Sequence, residues 1–297
     1  MKLKYLLQKS SAGKAAVNRY TRSKFGNFML FFILTVAGLF STLPLVYCIC
    51  TSFKPLDELL IFPPRFFVQR PTIGNYMVLP DLMASLKVPF SRYLLNSLFT
   101  SIVTTLFYII IASMAAYVLS KGRFRGRNTI FWAVQFALMF NATTLAVPQY
   151  VIFSKLRMID TYWIYILPQF ASTLGVFLAK QYIEGYIPDA LLEAAKIDGA
   201  NQFKVFWSVV MPIIKPAWLT LMLFSFRDLW SQAPTGMIFT EQLKTLPQVI
   251  SQITTGGTAR AGSAMAVTVI MMIPPILVFL ISQSNVVEAM SSAGIKE

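Results

Sequence analysis

PDALLEAAKIDGANQFKVFWSVVMP, residues 188 to 212, carries Asp189, Glu193, Lys196, Asp198 and Lys204 inside a chain whose other long segments are apolar. Pro188 and Asp189 suit a helix start, Leu191, Leu192, Ala194, Ala195 and Ile197 form its apolar face, and Gly199 ends it. Asn201 then opens a second helix, from which Phe203, Val205, Phe206 and Trp207 lead towards Met211 and Pro212. The stretch reads as an amphipathic insertion, and its surroundings decide its purpose.

Those surroundings are membrane spans. The chain has 297 residues, 56% of them hydrophobic, with mean hydropathy +0.62 and 13% charged residues, against roughly 25% charged in soluble domains. About 20 apolar residues cross the hydrocarbon core. On that criterion the fold class is an all-α membrane protein with six transmembrane helices, at about 28–50, 93–119, 129–153, 161–183, 212–234 and 262–286. The fifth is interrupted: Lys215 is placed at its inner boundary, snorkelling, and Arg227 and Asp228 in its outer half. Trp132 and Trp163 fit an interfacial aromatic girdle.

Charge sets the orientation. Lys and Arg total 26 against 12 Asp and Glu. Lys2, Lys4, Lys9, Lys14, Arg19, Arg22 and Lys24 precede the first span without an acid, and the loop SKGRFRGRN after the second holds Lys121, Arg123, Arg125 and Arg127. Basic residues gather on the cytoplasmic side, so both termini are expected there, in a multi-pass protein of the cell membrane. The basic segment 1–25 is then a cytoplasmic tail flanking the bilayer rather than a nucleic-acid-binding arm, and 26–297 is the six-span domain. The run from Phe28 to Cys50 exceeds the apolar core of a signal peptide, with no A-x-A site after it, so a retained span is expected. Residues 51–92 and 231–260 fall outside, and the opening stretch falls in the cytoplasm between spans four and five.

The chain contains no His, and Cys48 and Cys50 lie two apart on a helix and point away from each other. A zinc site and a Cys/His or Ser/His/Asp catalytic set are therefore excluded. Gly13-Lys14 lacks the remainder of a phosphate loop, so neither catalysis nor a cofactor is expected in this chain. The helix from Asp189 to Asp198 is net acidic, which an anionic inner leaflet would repel. A protein partner suits it better than a lipid surface.

EAAKIDGA at 193–200, followed by VVMPIIKP at 209–216, resembles the Glu-Ala-Ala loop of permease subunits from binding-protein-dependent ATP-binding-cassette importers. TSFKP (51–55), PTIGNY (71–76), NSLFTSIVTT (96–105), AAYVLSKGRFRGR (115–127), VPQYVIF (147–153) and the terminal SSAGIKE are similar to the maltose-type carbohydrate branch of that family. The resemblance implies that the inserted helix is a coupling helix docking on a separate ATPase through Glu193, Ala194, Ala195, Asp198 and Gly199. It also implies a C-terminal ATPase contact through Gly294, Ile295 and Lys296. The implied partners are a second related permease, an ATPase dimer that carries ATP and magnesium, and an extracytoplasmic sugar-binding protein.

Polar residues in spans mark pathways or bond helices together. Asn141, Gln149, Arg227, Asp228 and Trp230 are the pathway candidates, with Asn96 and Gln169 as further intramembrane polar groups. FRDLW (226–230) lies where the family carries a Trp-Asn-Asp motif, and Arg227 departs from it. An ion-coupled secondary transporter is the alternative, but it wants a carboxylate relay and Asp228 is the only acid in a span. A membrane scaffold for a cytoplasmic partner is the other alternative.

Overall fold

The computed structural model of the chain describes residues 24–84, 87–140, 142–234, 236–254, 257 and 260–293. Among these every regular element is helical, as apolar runs in hydrocarbon require, because a backbone without water must satisfy its own hydrogen bonds. The chain divides into two units between Ile49 and Cys50. The first carries most of α1 (Lys24–Ser52), whose 29 residues extend for about 44 Å.

In the second unit a folded connection comes first: α2 (Leu56–Leu59), α3 (Gly74–Met77) and α4 (Leu79–Ala84). Buried Glu58 holds it by accepting the backbone N–H groups of Gln69 and Arg70 at 3.0 and 3.4 Å. The axis of the unit is α5 (Phe90–Lys121), against which α8 (Trp163–Phe170), α9 (Thr173–Tyr186) and α13 (Lys215–Ser231) pack. Its buried face is small and hydroxylated, with Ser97, Ser101, Thr104, Ala112, Ser113 and Ala116, so neighbouring backbones approach closely. α13 also packs on α15 (Ala261–Ala293).

Three expected spans, at 28–50, 93–119 and 262–286, correspond to α1, α5 and α15, each long and apolar enough to cross a bilayer. The others are not single straight helices. The expected span 129–153 is divided into α6 (Arg127–Ala137) and α7 (Ala142–Lys155). There Met139 and Phe140 donate to Phe136 O and Ala137 O, tightening the turn and ending α6. The expected span 161–183 is divided into α8 and α9 by a step at Ala171 and by Ser172, whose backbone is extended. That step sets Gly175 so close to the Tyr108 ring that no Cβ would fit.

The fifth span is bent. A segment over 202–213 meets α13 at 79°, and the two together make a fourth candidate crossing. The segment comprises α11 (Gln202–Val205), a π turn (Phe206–Val210) and α12 (Met211–Ile213). Pro216 has no N–H to offer the Pro212 carbonyl, so the helix cannot run straight through from 212 to 234, and Lys215 is the first residue of α13.

The long connection 231–260 also departs from expectation, because it contains α14 (Leu246–Thr254) with Leu246, Gln248, Val249 and Ile253 buried. Leu246, Val249, Ile250 and Ile253 repeat at helical spacing, a signal the surrounding Gly, Thr and Gln residues had hidden.

Candidate functional site

The inserted stretch folds into α10 (Asp189–Ile197). Pro188 stands before it with extended backbone, and Asp189 lies in its first turn, where the helix dipole favours an anion. At its end Gly199 adopts φ +78°, while Gly199 N donates to Lys196 O and Ala200 N to Ala195 O, both at 3.0 Å. This pair of bonds is a Schellman cap, and glycine fits it because the left-handed backbone strains any residue with a Cβ. The Asn201 side chain then caps α11 by accepting Lys204 N at 2.8 Å.

The apolar face of α10 is split. Leu192, 5% exposed, enters the cluster formed by Tyr117, Ile183, Ile187, Val205 and Phe206, and Ala195 packs beside it. Leu191, Ala194 and Ile197 point outward with Glu193, Asp198 and Gly199. Ile197 is 86% exposed and Phe203, just beyond the cap, 64%. An apolar surface edged by acids is thus displayed at the end of α5 that carries Lys121 and the basic loop.

α5 holds this helix from behind. Lys121 Nζ donates to Asp189 Oδ1 at 2.6 Å, and Tyr117 OH donates to Gln202 Oε1 at 3.0 Å. The Asp189 carboxyl is held below its ordinary range by the Lys121 hydrogen bond and charge, with Arg123 and Arg127 adding to the field.

The described pathway candidates lie on two elements, α7 and α13. Gln149 lines a cavity of about 660 Å³ with Leu145, Ile152, Leu167, Ser172 and Thr173 between α7 and the α8–α9 step. Arg227 and Asp228 lie exposed on α13. Trp230, also a pathway candidate, is buried: its Nε1 donates to Met271 O at 2.8 Å and its ring stacks on Phe226. Gln169 donates to Ser225 Oγ at 3.0 Å, joining α8 to α13. Asn141, Gly294, Ile295 and Lys296 lie outside the described residues.

A hydrogen-bonded clasp at the opposite end of α5 was not foreseen. Asn96 Nδ2 donates to Gln242 O and Lys244 O at 2.7 and 2.9 Å, while Tyr162 OH donates to Asn96 Oδ1 at 2.9 Å. Ser97 Oγ accepts Leu246 N, and Tyr165 OH donates to Gln248 Oε1. Asp160 accepts Phe239 N and Thr240 N at 2.9 and 2.8 Å. Partners 66 to 149 residues apart leave no local pattern to read.

The profile described as "Binding-protein-dependent transport system inner membrane component" matches residues 82–292. The chain is 27% identical over 285 residues to the inner membrane ABC transporter permease protein YcjP of Escherichia coli, covering 95% of this chain and 99% of that protein. It is 26% identical over 280 residues to the arabinooligosaccharides transport system permease protein AraQ of Halalkalibacterium halodurans, covering 90% and 97%. Its fold is that of a chain in the crystal structure of a bacterial ABC transporter involved in the import of the acidic polysaccharide alginate, with a TM-score of 0.70 at 23% identity over 89% of this chain and 98% of the other. The chain belongs to the family of binding-protein-dependent transport system inner membrane components.

Proposed function

We propose that this permease serves an ATP-driven importer of sugars or oligosaccharides, crossing the membrane six times with both termini in the cytoplasm and pairing with a second related permease to enclose the pathway. The divided helices α6–α7 and α8–α9 and the bent segment leading into α13 each make one crossing. α10 is the coupling helix: Glu193, Ala194, Ala195, Asp198 and Gly199 dock on an ATPase dimer that holds ATP and magnesium. Gly294, Ile295 and Lys296 supply a further ATPase contact, an extracytoplasmic sugar-binding protein delivers the substrate, and Asn141, Gln149, Arg227, Asp228 and Trp230 are the pathway residues.

The observation that carries this reading is the exposed side of α10. Leu191 and Ile197 face outward between Glu193 and Asp198 at the basic end of the helices, where a groove with a basic rim complements them. The sugar class is supported by the name of the relative AraQ. Glu193→Lys, inserted normally in the membrane, is expected to abolish uptake of the sugar that co-purifies with the binding protein and to lower ATPase co-purification at least tenfold. Normal uptake by that variant would remove α10 from the docking role.

A further inference from the structure

Moving a helix on the surface of a membrane protein moves a span only when something stiff joins the two. α10 runs on from α9 through Ile187 and Pro188 and is followed by the Gly199 turn, and it is tied besides to the end of α5, an element that closes 68 residues before it. On the entry side Lys121 Nζ bonds Asp189 Oδ1 at 2.6 Å, and on the exit side Tyr117 OH bonds Gln202 Oε1 at 3.0 Å. Tyr117 and Lys121 are four residues apart, so they share one face of α5. Between the two contacts Leu192 is buried in the cluster that contains Tyr117, and the Tyr117 ring lies against Phe206, the first residue of the π turn, with centroids 5.9 Å apart.

The energetic character of these contacts is informative. The Asp189 side chain is 72% exposed, and an ion pair that wet adds little to the stability of a fold. It does fix an angle, because the pair holds the first residue of α10, the tyrosine bond holds the first residue of α11 across the Gly199 turn, and Leu192 is buried between them. Lys121, and beyond it Arg123 and Arg127 at the start of α6, hold the Asp189 carboxyl below its ordinary range.

We propose that Tyr117 and Lys121 are positioning residues that clamp α10 to α5, so that the coupling helix and span two move as one body when the ATPase displaces α10. This rests on α10 being the docking helix. The test uses the assembled importer with Cys48 and Cys50 replaced by serine, one spin label at Ser91 on the far end of α5 and one on the ATPase. The readout is the change in their separation between the nucleotide-free and the ATP–vanadate states. Lys121→Glu and Asp189→Lys should each reduce that change at least twofold without lowering ATPase co-purification, and the double variant Lys121→Asp with Asp189→Lys should restore it. Tyr117→Phe, which keeps the ring and loses the hydrogen bond, should give a smaller reduction.

A full-sized change in both single charge variants would overturn the clamp, as would a swap that fails to restore it. A second arm covers a purely structural effect: Lys121→Cys with Asp189→Cys, joined by a short bismaleimide, should retain the change, whereas its loss would mean that the helix and span two must separate during the cycle. Docking is scored separately. Ile197→Asp should release the ATPase, and retained co-purification would overturn the docking reading without bearing on the clamp.

Discussion

The connection that follows α9 and the connection that follows α13 both interrupt apolar spans with charged, Pro- and Gly-containing sequence, yet they fold in opposite senses. The first turns apolar residues outward: Ile197 is 86% exposed and Phe203 64%. The second turns them inward, so that Leu246 and Val249 are fully buried in a cluster with Tyr93, Phe226, Trp230 and Val267, under a clasp of hydrogen bonds. A short amphipathic helix thus does two different jobs in this chain. Where its apolar side is left open it is free for the proposed ATPase joint, and where that side is covered it closes the helices upon themselves.

The strongest way to break this contrast is to place a charge on each helix. Val249→Asp buries an unpaired carboxylate in the covered cluster and is expected to cost more than about 4 kcal/mol, seen as loss of folded protein or a collapse of the melting temperature in detergent. Ile197→Asp, on the open helix, should change the stability by no more than about 0.5 kcal/mol and so leave the melting temperature near that of the parent. Equal damage from both would mean that α10 is as much a part of the core as α14.

Asn96→Ala tests the clasp. It leaves the Lys244 carbonyl and the Tyr162 hydroxyl without their Asn96 partner and the Gln242 carbonyl with only the long Arg92 Nε contact, and a loss of about 2 to 3 kcal/mol is expected. Denaturant melts of the purified protein check it, and hydrogen exchange should rise first across residues 241–246.

Gly199→Val should act on the joint alone. No atom lies within 4 Å of a Cβ built there, so the cost is the φ of +78° itself, about 1 to 2 kcal/mol. The strain falls on the cap of α10, so ATP hydrolysis is expected to continue while uptake per ATP falls. An unchanged ratio would show that the turn is made without a left-handed residue.

The smallest effect concerns acid. Burial pushes the Asp160 carboxyl up, but hydrogen bonds from the Thr240 hydroxyl, Thr240 N and Phe239 N outweigh it and hold the group below its ordinary range. A group depressed in the folded state contributes stability that is present above its unfolded value, near 4, and is lost as pH falls through the folded value. Melting temperature should therefore decline from about pH 5 downward, and Asp160→Asn should flatten that decline. A parent-like acid limb in the variant would place the proton elsewhere.

The sequence by itself determined what depends on neighbouring residues. Runs of apolar side chains dictated helices and a membrane, the Pro188–Asp189 start and Gly199 end bounded α10 where the structure has it, and missing His and phosphate-loop residues pointed the chemistry to another chain. Tertiary structure decided whatever depends on contact between distant segments. The breaks between α6 and α7 and between α8 and α9 lie inside uncharged runs, where Asn141, Gln169 and Ser172 read equally well as polar groups within an unbroken span. Trp230 and Arg227 sit three residues apart on one helix, yet one is buried against Met271 and the other exposed, because the position of α15 settles which face is covered. Composition treated Lys121 and Asp189 only as charges on the cytoplasmic side; the packing of α5 behind α10 made them a pair.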